Sequence, residues 1–115
     1  MILTNGKTNV LQLLAGNASG KKITHIAVGT SSTPVTPGDT AITGMVSVAV
    51  SLVEYLPGSV ERYTAVLPDT VPAMTIAEMG LINEAGTLVH RKVLASTFAK
   101  ALGLAYTLKY EIKVV

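Results

Sequence analysis

The chain has 115 residues, no cysteine and a net charge of +2, with 49% apolar but only 14% charged residues. One domain over 1–115 is the natural reading, with a core closed without disulfides and no Cys-based zinc site. Its lysines and arginines are scattered and no apolar run reaches about 18 residues, so neither nucleic acid nor a membrane is an expected partner.

An average globular domain carries about 25% charged residues, and a small domain has the most surface to solvate. Part of this surface is therefore expected to be covered, most simply by further copies of the chain. A neutral Thr/Ser/Gly coat is the alternative.

In chain order, Met1 to Ala15 lacks the basic start and continuous apolar core of a signal peptide. Val10, Leu11, Leu13 and Leu14 cluster within a turn and a half and predict a short helix that must pack on something. Thr4 or Asn5 is the expected N-cap and Gly16 the C-terminal cap. Ile23 to Gly29 reads as a strand, and Thr30 to Thr40 (TSSTPVTPGDT) as a loop, either ordered surface or a flap. Met45 to Leu56 alternates Val46, Val48, Val50 and Leu52 against smaller residues and reads as one long strand. Pro57-Gly58-Ser59 then turns it into an antiparallel partner, Val60 to Leu67.

Met74 to Ile82 and Thr87 to Leu94 form a second hairpin about Asn83–Gly86, with Gly86 suited to positive φ. Ala95 to Gly103 is open between a helical turn and an irregular crossover, and the crossover is favoured. Leu104 to Val115 is the clearest element: Leu104, Tyr106, Leu108, Tyr110, Ile112 and Val114 alternate with Ala105, Thr107, Lys109, Glu111 and Lys113. At about 3.3 Å per residue such a strand spans close to 40 Å, which makes its end a candidate for pairing beyond the domain. Tyr110, Ile112 and Val114 are the side chains this puts at a partner. The sum is an all-β fold, an antiparallel β-sandwich of about six strands with a short N-terminal helix.

Little in the sequence carries chemistry. His25 and His90 stand on different strands without ligand spacing, so no metal site is expected. The carboxylates read as ion-pair partners of Arg62, Arg91 or Lys92 across hairpins. Glu78, inside an apolar strand, reads as a buried anchor for a loop or for Arg91. No nucleophile elbow, phosphate loop or EF-hand occurs, so the chain is read as neither an enzyme nor a cofactor binder. Tyr55, Tyr63, Tyr106 and Tyr110 would make a sugar platform if exposed, although Tyr106 and Tyr110 fall on the core face.

Three stretches, ITHIAVGTSSTPVTPGDTAITG (Ile23–Gly44), MTIAEMGLINEAGTLVHRKVL (Met74–Leu94) and LAYTLKYEIKVV at the C-terminus, together resemble small structural domains from tailed-bacteriophage virion proteins. The first is similar to an IAVGTGTTxPxxxDTAL segment of tail-fibre and related virion proteins. The second is similar to that family's IxEIGLFDxxGxLxAR hairpin, and the third to its closing strand. GKTNVLQLLAG fits its helical opening. Ile82-Asn83 departs from the usual aromatic-acid pair, and Ser31-Ser32-Thr33 from the glycine-containing tract.

The resemblance implies a virion component made in the bacterial cytoplasm, either a capsid decoration or a tail or baseplate attachment protein. It implies a homo-oligomer, commonly a trimer, bound to a neighbour such as the major capsid or a tail protein. In this reading the loop residues Thr30, Ser31, Ser32, Thr33 and Val35 face that partner. The shortness of the chain favours decoration or a small tail accessory over a complete fibre. A glycan-binding tail-fibre module, using exposed tyrosines and the Thr/Ser loop, is the alternative.

Overall fold

A computed structural model describes residues Met1–Val114. Among these, helix α1 (Thr4–Leu14) precedes seven strands: β1 (Ile23–Gly29), β2 (Val46–Ala49), β3 (Leu52–Leu56), β4 (Val60–Leu67), β5 (Met74–Asn83), β6 (Leu88–Lys100) and β7 (Tyr106–Lys113). They form two antiparallel sheets, one ordered β2-β1-β5-β6 and the other β3-β4-β7. β4 lies across β1 and β2. The mainly β, sandwich-like fold expected from the alternating segments is the fold observed.

Alternation explains the core. Ile26 and Val28 of β1, Ile76, Met79 and Leu81 of β5, and Val89 of β6 meet Tyr63, Ala65 and Leu67 of β4 and Leu108 and Tyr110 of β7 between the sheets. Full burial of such a side chain contributes roughly 1.5–3 kcal/mol. β1 and β5 bury both faces. Their outer residues Ala27 and Ile82 join Leu3, Ile42 and Leu88 in a second apolar cluster under the loop that follows β1. Both strands consequently read as apolar runs with little alternation.

Four expectations need correction. The long strand Met45–Leu56 is two strands in different sheets. Consecutive amides make the change: Val50 N–H bonds Thr24 O of β1, and Ser51 N–H bonds Thr64 O of β4. Ala95–Gly103 is mostly neither crossover nor helical turn, because β6 runs on to Lys100 and pairs Phe98 with Ile76 and Lys100 with Met74. A bulge hides this continuity: one β5 residue between Ile76 and Glu78 faces four β6 residues between Val93 and Phe98. At about 3.3 Å per residue a 13-residue strand covers most of the 43 Å long axis.

The last strand begins at Tyr106 and ends at Lys113, and all eight of its residues pair with β4, Lys113 opposite Val60. Leu104 and Val114 are exposed and do not extend its buried face.

The helix is the fourth correction. Its N-cap is Leu3, which makes no side-chain cap, while Gly16 at φ +67° closes the C-terminus as expected. The helix faces inward with Gly6 and Asn9, its only buried residues. A Cβ on Gly6 would lie 2.0 Å from Val89 O, so only glycine permits this approach to β6. Asn9 Nδ2 donates to Lys21 O at 2.8 Å, and its Oδ1 accepts from Lys21 N and from Asn83 Nδ2. Val10, Leu11, Leu13 and Leu14, the expected packing face, are all exposed.

Candidate interaction surface

Two polar assemblies and one apolar groove stand out. The first assembly fastens the loop after β1. Glu78 is 1% exposed, and its Oε2 accepts from Ser31 N–H at 2.5 Å. Its Oε1 accepts from Thr43 N–H at 3.4 Å and from Arg91 Nε at 3.3 Å. The buried Arg91 then reaches outward, Nη1 to Asp39 Oδ2 at 3.0 Å and Nη2 to Thr33 O at 3.0 Å. Asp39 accepts from Thr36 N–H and Oγ1, and these bonds, with Arg91 beside it, hold its carboxyl below the usual carboxylate range. A buried carboxylate and guanidinium thus pin both ends and the middle of the loop. Glu78 is the anchor for the loop and for Arg91 that its place in an apolar strand suggests.

The second assembly ties the sheets together. His90 on β6 and Tyr110 on β7 belong to opposite sheets, and His90 Nδ1 lies 2.6 Å from the Tyr110 hydroxyl. Burial lowers the His90 pKa to about 4, helped by the nearby N-terminal amine and Lys92, and burial raises that of Tyr110. At neutral pH the ring is uncharged and the phenol protonated, so the pair shares one hydrogen bond between the sheets. Among the described residues no three His, Asp or Glu side chains gather as a metal site.

The groove lies at the same end of the sandwich and encloses about 460 Å³. One wall comes from the helix and the first sheet: Val10, Leu13, Lys21, Lys22, Ile23 and Val89. The other comes from the second sheet: Val53, Tyr55, Glu61, Tyr63 and Ile112. His90 lines it as well, and Tyr63 closes it with a hydroxyl bonded to Glu61. Tyr55 is 82% exposed at the rim.

The predicted contact residues are not gathered in one place. Thr30, Ser32 and Thr33 are exposed along the anchored loop, Ser31 is half-buried, and Val35 packs on the second apolar cluster. Tyr110 is fully buried, so its side chain is a core residue instead of a contact. Ile112 is half-buried in the groove wall, and Val114 is 75% exposed. Of the four tyrosines Tyr55 alone is fully exposed, so no tyrosine platform forms. The exposed helix face and the groove were missed because an apolar stripe in a sequence signals burial wherever it occurs. The one available hint was the overall scarcity of charge. No protein-family model matches the chain, and no curated protein or solved structure is significantly similar to it.

Proposed function

We propose that this chain is an accessory structural subunit of a tailed-bacteriophage virion, acting by self-association and by binding a neighbouring virion protein, without catalysis. The observation that carries the assembly reading is the apolar face of α1, left uncovered and continuous with an apolar groove. Monomeric domains seldom leave so large a patch to solvent unless it is an interaction site.

The virion context is supported by the resemblance of Ile23–Gly44, Met74–Leu94 and the last strand. Its first two segments are paired neighbours in the four-stranded sheet, and Glu78 and Arg91 of the second bond Ser31, Thr33 and Asp39 of the first. The Thr30–Thr40 loop, held rigid by that pair, would meet the neighbouring virion protein with little ordering cost.

Electron microscopy of virions carrying a labelled copy tests the reading. Label at regular sites on head or tail is the expected result. Virions free of label, from cells that express the chain in quantity, would refute it.

A further inference from the structure

We infer that the groove between α1 and β3 seats a second copy of this chain, related by a two-fold axis, so that each copy lays its α1 leucines against the other's groove. The inference deepens the assembly reading above and rests on it.

The helix is the first argument. Its inward contacts are a glycine and an asparagine, whereas Leu11 (67% exposed) and Leu14 (80% exposed) point away from the sheets. Among the described residues, Leu11 and Leu14 join neither apolar cluster. Exposing them costs what burial elsewhere contributes, so a covering surface is the physical reason for their presence.

Area is the second. Met1, Ile2, Val10, Leu11, Leu13 and Leu14 on the helix side are exposed, as are Val53 and Tyr55 on the sheet side. Together they form an apolar surface on both sides of the groove, of the kind that a standard stable interface of roughly 800 Å² per partner buries.

Charge is the third, and it selects the occupant. Lys21 and Lys22 stand on the helix wall and Glu61 on the opposite wall. A two-fold axis through the groove sets the lysine wall of each copy against the glutamate wall of the other. The rim is therefore complementary to itself, and like charges are kept apart. A single continuous patch can be buried against its own duplicate only in this isologous way. The unit formed here is a pair, where the family resemblance implies a trimer.

Sedimentation equilibrium of the full chain at about 100 μM, well above the dissociation constant typical of an interface this size, is the test. The expected mass is twice 11.9 kDa. Leu11→Lys combined with Leu14→Lys changes two exposed positions, so far-UV circular dichroism should report an intact fold. Association should fall about a hundredfold or more, as when buried anchors are lost. Glu61→Lys makes both walls positive, and Lys21→Glu with Lys22→Glu makes both negative. Each variant alone should be monomeric, and a mixture of the two should form heterodimers.

A monomeric wild type, a mass of three chains, or a double-leucine variant that associates normally would overturn the inference. So would a monomer that takes up a fluorescent undecanoic acid into the groove, which would assign the site to an amphiphile. None of these results bears on labelled density in virions, so the two readings fail separately.

Discussion

At Glu78 the fold buries a carboxylate and pairs it with an equally buried guanidinium. Such a pair contributes little net stability, but losing one partner leaves a buried charge uncompensated. Glu78→Gln should therefore cost about 3 kcal/mol in urea unfolding, near the lower end of that range because Asp39 still faces Arg91. The Ser31 and Thr43 amide signals should broaden with it.

His90 adds a pH dependence of known sign. Its folded pKa near 4 lies below the unfolded value of 6.5, so between these the unfolded chain binds more protons. Stability from the neutral ring is complete above about pH 6.5 and is lost as pH falls towards 4. Partial exposure screens the effect. Asp39, with its lowered pKa, stabilises above the unfolded value and loses that contribution in more acid solution. Proton NMR of the imidazole should show His90 titrating near 4, and a value near 6.5 would contradict the buried placement. Glu78 was legible in the sequence because a charge inside an apolar run has few structural roles. Asn9 was not, because a buried asparagine among surface-type residues looks like any helix position.

At the scale of elements, what local periodicity could express was legible. The β3–β4 and β5–β6 hairpins and the last strand follow from alternation and turn residues. The sheet change at Val50–Ser51 did not, because alternation runs through it and the switch depends on which strand accepts each amide. The far half of β6 was hidden by its bulge, which breaks period two. That half is held by an unusual device. Lys100 is buried, and its Nζ donates to Val71 O and Ala101 O, both at 2.7 Å, tying the Pro68–Pro72 segment to the strand end. Lys100→Met keeps the side-chain volume but removes two hydrogen bonds from a charged donor, so it should destabilise by about 1–3 kcal/mol. Hydrogen exchange should rise selectively at the β5 start and the β6 end if this end opens as a unit. Uniform acceleration across both sheets would show that the lysine supports the fold as a whole.

For the whole molecule, the outward leucines and the scarcity of charge become one fact. A sequence can show that charge is scarce but cannot say where the uncovered surface lies, because that depends on which helix face Gly6 and Asn9 turn inward. If that surface is closed by a second copy, folding and association are linked and thermal stability depends on concentration. Unfolding of a dimer to two chains gains about 1.4 kcal/mol of driving force per tenfold dilution. The unfolding entropy of two chains of this length is roughly 0.5 kcal/mol/K, so Tm should fall by about 3 °C per tenfold dilution. The rim sets Lys21 and Lys22 against Glu61, so Tm should fall modestly between low and physiological salt as these contacts are screened. The Leu11→Lys, Leu14→Lys variant should show a Tm independent of concentration and equal to that extrapolated for the dilute wild type. Calorimetry over a hundredfold concentration range measures both. A wild-type Tm that ignores dilution would mean that each chain is stable with its leucines in water, and the apolar face would then lack the thermodynamic role argued for it.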